Sequence, residues 1–276
     1  MDHEMLRRLI HGQISAGVDA IVLGGTTGES PTLTVEEKLE LFRIGVDTAA
    51  GRCRIIAGTG GNCTERAAEL SVRAAQLGVD GLLVVTPYYN KTTQTGLVKH
   101  YQTICEAAGI PVIAYNVPAR TGMDIGLEAC RELAKLPGIA GLKEASGDIT
   151  KVGRILAACA EELPVYSGND DQTLPVMALG GLGVISVASN VVPAQMKALT
   201  DACLAGEYER AAALQRRLLP LQDLLFCQVN PIPVKAAMEM IGLDCGGCRM
   251  PLDGLTPENA KKLQKCLDQL AVRAYN

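Results

Sequence analysis

Lys143 stands near the end of the apolar run Gly138-Ile139-Ala140-Gly141-Leu142-Lys143-Glu144-Ala145. Such a run reads as a short strand buried on both faces, with an amine as its last working residue. An amine at the rim of an apolar site loses hydration, which favours its neutral form. A neutral amine attacks a ketone and forms a Schiff base. The iminium withdraws electrons, so a neighbouring methyl group loses a proton and becomes an enamine nucleophile. That step needs a proton carrier. Tyr115 ends the preceding strand at a matching height, and a phenol there donates and accepts protons. Each residue also has a plainer reading: a solvated lysine at a strand end, and a core tyrosine bonded to backbone.

Two further groups fit the same chemistry. Gly25-Thr26-Thr27-Gly28 offers hydroxyls and backbone N–H groups on a tight turn, a cradle for a carboxylate. Gly/Thr turns are common, so the turn alone is a weak signal. Arg120, between Pro118-Ala119 and Thr121-Gly122, lies on a stiff loop. Its guanidinium there grips a carboxylate with two parallel bonds, or else forms a surface ion pair. Amine, phenol, cradle and cation each come from the end of a different strand. Cys245-Gly246-Gly247-Cys248 has zinc or redox spacing but no second pair and no nearby His, so it reads as a loop with two incidental thiols. His3, His11 and His100 fall on helices away from strand ends and read as surface residues.

The elements that must position these groups alternate. Strands are expected at 20–23, 55–57, 81–85, 111–115, 138–145, 165–167 and 183–187. Helices are expected at 2–16, 34–50, from Thr64 to Gly78, and at 95–108, 126–135, 149–160 and 172–179. Thr34 and Glu37 form a capping box. Strand–helix units at a period of roughly 25–30 residues give a parallel sheet. The Gly, Thr, Tyr, Asn and Arg residues sit in the loops after the strands, where the sites of α/β barrels lie. The fold class is therefore α/β, a TIM (β/α)8-type barrel. Residues 1–206 form the barrel, and 207–276 form a C-terminal helical region with helices at 207–226, 233–242 and 257–272. A closed barrel needs eight strands; seven are expected here, with the first of the eight missing, which would leave the strands at 20–23 and 183–187 as unpaired edges.

Composition removes other classes. Of 276 residues 48% are hydrophobic, the net charge is −4, aromatics are 3% and Trp is absent. No basic run points to nucleic acid or an anionic membrane. No apolar run is long enough to span a bilayer, and no secretory signal opens the chain. Ten cysteines scattered through apolar settings read as reduced thiols of a cytoplasmic protein.

The runs Gly25-Thr26-Thr27-Gly28-Glu29-Ser30, Val85-Thr86-Pro87-Tyr88-Tyr89-Asn90, Tyr115-Asn116-Val117-Pro118-Ala119-Arg120-Thr121-Gly122, Gly141-Leu142-Lys143-Glu144-Ala145 and Asn230-Pro231-Ile232-Pro233-Val234-Lys235 resemble, in order, the dihydrodipicolinate (4-hydroxy-tetrahydrodipicolinate) synthase family. The lysine strand and the Gly-Thr-Thr-Gly-Glu turn are shared with the wider pyruvate-dependent aldolases. The resemblance implies a carbon–oxygen lyase of lysine and diaminopimelate biosynthesis that condenses pyruvate with L-aspartate 4-semialdehyde. Lys143 would form the Schiff base with pyruvate. Tyr115 would carry the proton, linked through Thr26 to Tyr89 of a neighbouring subunit. Thr27 and the backbone at Ile185 would hold the pyruvate end, near Gly168, and Arg120 the carboxylate of the aldehyde substrate. No metal or organic cofactor is implied. A homotetramer built from tight dimers is.

Two departures from the family stand out. Its first barrel strand is absent, so a truly short chain is expected to be poorly soluble or inactive, and an upstream in-frame start to restore it. At the effector site of lysine-inhibited relatives Ser30, Asn62 and Tyr88 are kept, but Val35, Lys38 and Arg66 stand where such enzymes carry His and Glu. Two added cations repel the lysine ammonium group, so weak inhibition is expected. Asn230-Pro231-Ile232-Pro233 is read as stiffening the entry to a helix. The alternatives are a sister aldolase, such as N-acetylneuraminate lyase or a 2-keto-3-deoxy sugar acid aldolase, and a catalytically inactive paralogue.

Overall fold

The computed structural model describes residues 1–159 and 161–275. Seven strands follow in the order of the chain: β1 Ala20–Leu23, β2 Arg54–Gly58, β3 Gly81–Val85, β4 Val112–Asn116, β5 Ile139–Glu144, β6 Val165–Ser167 and β7 Gly183–Val184. The chain divides into two compact units, one of residues 55–185 and one of residues 1–54 with 186–276.

The unit of residues 55–185 holds the ladder from β2 to β7. Every pairing in it is parallel, in the register Leu83↔Ile113, Val85↔Tyr115, Tyr115↔Lys143, Lys143↔Tyr166 and Ser167↔Val184. Leu82, Val84, Val112, Ala114, Leu142 and Val165 are fully buried, as expected where helices cover a parallel sheet. Helices fall between the strands at Thr64–Gln76, Gln94–Ala108, Leu127–Ala134, Ile149–Cys159 and Thr173–Ala178. The helix expected over 149–160 is found to Cys159; Ala160 lies outside the described residues. Helix Gln94–Ala108 starts where the Thr93 side chain accepts from Gly96 N and stops at Gly109, whose φ of 65° is left-handed. β7 is shorter than expected. After Ile185 N donates to Ser167 O, the chain leaves the ladder.

The second unit carries helix His3–Ser15, capped by Asp2, then β1, the turn at 24–30 and helix Val35–Ala49. Thr34 and Glu37 form the expected capping box there. The later part of this unit is helical: Pro193–Leu204, Tyr208–Leu224, Ile232–Met240 and Pro257–Gln269. Gly12 is required by close approach. A Cβ there would lie 2.0 Å from the Tyr275 ring, whose hydroxyl donates to Asn190 O (2.8 Å).

One expectation is corrected. His3 and His11 are exposed, but His100 is buried, at 4% exposure. Its Nδ1 lies 2.9 Å from Thr64 Oγ1, its Nε2 is buried without a partner, and its ring meets Tyr101 edge-on. Burial pushes its pKa down to about 4. The spacing held the signal. Leu97, Tyr101, Ile104 and Cys105 form the buried stripe of this helix, and position 100 lies within that stripe.

Candidate active site

β4 and β5 place Tyr115 and Lys143 side by side, because the two residues are register partners and side chains of paired strands point to the same face. Both are buried, Tyr115 at 7% and Lys143 at 9% exposure. Lys143 Nζ stands over the Tyr115 ring, 4.3 Å from its centroid. Among the described residues Lys143 has no carboxylate at ion-pairing distance, and neither Nζ nor the Tyr115 hydroxyl has a hydrogen bond. The plainer readings therefore do not describe this pair: the lysine is not solvated at a strand end, and the phenol is not tied to backbone. On the other side of Lys143 its register partner is Tyr166. The Tyr166 ring lies 3.3 Å from where a Gly141 side chain would begin, so Gly141 makes room for it below Lys143.

Gly168 is the other close neighbour. A Cβ there would lie 2.5 Å from Ala145 Cβ and 3.1 Å from Lys143 Cε. Its N–H donates to Glu144 O (2.7 Å), which fixes the backbone against the end of β5. The remaining expected residues of this unit stand after the strands. Arg120 is exposed on the short helical turn Pro118–Thr121. Tyr89, in the loop after β3, is 91% exposed with a left-handed φ of 69°. The Ile185 amide is already engaged with Ser167 O, so that N–H is not open to a bound acid.

Thr26 and Thr27 belong to the second unit. Their turn is closed by Gly28 N to Gly25 O (3.1 Å) and Glu29 N to Thr26 O (3.1 Å). Asn230 Nδ2 donates to Thr27 Oγ1 (3.1 Å). Glu29 takes a left-handed φ of 54° and accepts from Lys235 Nζ (2.7 Å) and Arg249 N (2.7 Å). Lys235 also donates to Gly247 O (2.7 Å), and Arg249 forks onto Glu37 (2.7 and 2.5 Å). That fork, with the Thr34 amide, holds the Glu37 carboxyl down at about 2. Asn230 thus does more than stiffen a helix entry: together with Lys235 and Arg249 it braces the Gly-Thr-Thr-Gly-Glu turn. No local signal points to this, since 203 residues separate Asn230 from Thr27.

Among the described residues, no group of three or more His, Cys, Asp or Glu is placed to hold a metal ion, and no helix is long and apolar enough to cross a membrane.

Residues 1–270 match the model of the Dihydrodipicolinate synthetase family. The chain is 49% identical over 267 residues to the 4-hydroxy-tetrahydrodipicolinate synthase of Caldicellulosiruptor bescii, covering 97% of this chain and 90% of that one. Its fold is similar to the solved dihydrodipicolinate synthase from Aquifex aeolicus, with a TM-score of 0.96 and 43% identity over 100% of this chain and 94% of that one. The chloride-inhibited dihydrodipicolinate synthase from Acinetobacter baumannii, solved with pyruvate, is similar at a TM-score of 0.96 and 40% identity over 99% and 94%.

Proposed function

Because the chain belongs to the Dihydrodipicolinate synthetase family, we propose that it condenses pyruvate with L-aspartate 4-semialdehyde through a Schiff base on Lys143. The observation that carries this reading is the buried Lys143 amine, unpaired among the described residues and seated over the Tyr115 ring. The amine adds to C2 of pyruvate and water leaves, giving an iminium. Loss of a methyl proton yields the enamine, whose carbon adds to the aldehyde. The aldehyde oxygen takes up a proton and becomes the 4-hydroxyl group. The substrate's own amino group then attacks C2, displaces Lys143 and closes the ring. The iminium is itself the electron sink, so this reaction needs no metal or organic cofactor, and the ketone oxygen it expels as water supports reading it as a carbon–oxygen lyase.

Tyr115, whose ring lies under the amine, is the group assigned to move these protons. The amides of Thr26 and Thr27, with the Thr26 hydroxyl and the Thr27 hydroxyl that Asn230 braces, suit the pyruvate carboxylate, and Arg120 suits that of the second substrate. Gly168 leaves the room that Lys143 needs. The backbone at Ile185 would line the pyruvate end without donating to it, since its N–H is engaged by Ser167 O. Tyr89 would serve a neighbouring subunit in a homotetramer built from tight dimers, a reading supported by its exposure and its left-handed φ. The setting proposed for this biosynthetic step is the cytoplasm.

The test is turnover. Wild-type protein should consume both substrates together, and Lys143→Ala should not. Cleavage of sialic acid in preference to the condensation would overturn the reading.

A further inference from the structure

β4 and β5 carry a second row of side chains on the face opposite Tyr115 and Lys143. Val112, Ala114 and Asn116 alternate with Ile113 and Tyr115, and Leu142 and Glu144 alternate with Gly141 and Lys143. The register pairs Ala114 with Leu142 and Asn116 with Glu144. This second row is apolar and fully buried at Val112, Ala114 and Leu142, then turns polar at its last pair without becoming exposed: Asn116 is 0% and Glu144 3% exposed.

A buried carboxylate is costly unless every lone pair is met. Here both carboxylate oxygens are met by specific groups. Asn116 Nδ2 donates to Glu144 Oε2 (2.9 Å) and to Asp124 Oδ1 (2.8 Å). Ser146 N donates to Glu144 Oε1 (2.7 Å). Lys151 Nζ bridges Asp124 and Glu144, lying 3.5 Å from Glu144 Oε2. Asn116 Oδ1 accepts from Ile125 N (3.0 Å). A further titratable neighbour among the described residues is the Cys130 thiol, which burial pushes up to about 12. The backbone joins the same residues: Ala145 N donates to Asn116 O (2.9 Å), and Glu144 O receives Gly168 N (2.7 Å). Glu144 therefore ties together the ends of β4 and β5 and the loop that carries Gly168.

We propose that Glu144 and Asn116 are positioning residues, whose clamp on the outer face fixes the height and spacing of Lys143 and Tyr115 on the inner face. The proposal rests on the Schiff-base reading of Lys143. An apolar pair in their place would continue the row that precedes it. It would leave Ser146 N, Ile125 N and the Lys151–Asp124 pair without their anchor, and the two working residues held only by the ladder.

Asn116→Asp tests the clamp. It sets a second carboxylate at hydrogen-bonding distance from Glu144, with Asp124 close by. The carboxylates cannot all stay ionised there, so the clamp re-forms only when one of them holds a proton. Glu144→Gln keeps the shape and the bond from Asn116 but not the charge. Rates of imine formation with pyruvate, trapped by borohydride, and kcat and KM for pyruvate are measured from pH 6 to 9, well below each melting temperature. Asn116→Asp should lower kcat by roughly 10²-fold at the alkaline end, the loss expected for about an ångström of misplacement. The loss should shrink as the pH falls, and KM should change little. The double variant Asn116→Asp/Glu144→Gln, with one carboxylate fewer, should recover much of that loss and flatten the pH dependence, while Glu144→Gln alone should show a smaller loss that does not depend on pH. Trapping of wild type together with variant rates equal to wild type at every pH would overturn the clamp alone. So would a pH-independent loss in Asn116→Asp that follows the melting temperature. Absence of trapping in wild type would overturn the Schiff-base reading and the clamp with it.

Discussion

Replacing Gly168 by alanine adds one carbon at the most crowded point of the site. The new Cβ would lie 2.5 Å from Ala145 Cβ, 3.1 Å from Lys143 Cε and 3.2 Å from Glu144 O. Carbon atoms pack best at about 3.5–4.0 Å, so the Ala145 contact is roughly an ångström too short and the Lys143 contact about half that. Gly168 is absent from the left-handed glycines, so the effect is steric and not conformational. Overpacking of this kind costs about 1–3 kcal/mol, and in a chain of this size each kcal/mol lowers Tm by roughly 2–4 °C. The rate should fall further than the stability, by roughly 10²-fold, because the amine is pushed off its line. The double variant Gly168→Ala/Ala145→Gly separates the two effects. It removes the 2.5 Å clash and leaves the one with Lys143. Thermal melts and steady-state kcat/KM on both variants give the readout. Tm should return toward wild type in the double variant while the rate stays low. A single variant with wild-type rate and Tm would refute the packing argument. A double variant that regains its rate along with its Tm would show that Lys143 is not the residue displaced.

Three other outcomes follow from the same structure. The depressed pKa of buried His100 means that the unfolded chain binds more protons than the folded one between about 6.5 and 4. Stability should therefore fall as pH drops through that window, by about 2 kcal/mol at pH 5 from this residue. Denaturant titrations at pH 7 and 5 should show that difference shrinking in His100→Gln, and an unchanged difference would discount the buried imidazole. Asn230→Ala removes the brace on Thr27 and should raise KM for pyruvate severalfold with a smaller change in kcat; an unaltered KM would count against the brace. Lysine at sub-millimolar concentration should leave the rate nearly unchanged, given Lys38 and Arg66, and strong inhibition there would contradict that.

How much of this was readable beforehand depends on how local each signal is. Lys143 and Tyr115 were legible because a short apolar run that ends in one ionisable residue carries its meaning within six or seven positions, and the structure makes the two residues register partners. The capping box at Thr34 and Glu37 is local in the same way. The Glu144 clamp was not legible, because an acidic residue after Lys143 looks like the solvated end of a strand until β4 sets Asn116 opposite it. The braces from Asn230, Lys235 and Arg249 depend on contacts more than 200 residues apart. For His100 the residue type points to the surface, whereas its position in the Leu97–Ile104 stripe points to the core, and the position decides.

Incubation with pyruvate, reduction by borohydride and mass analysis of the peptide that contains residue 143 address the central claim most directly. One pyruvate-derived adduct should appear on Lys143 and be absent from Lys143→Ala. An unmodified Lys143, or an adduct carried by any other lysine, would contradict the account.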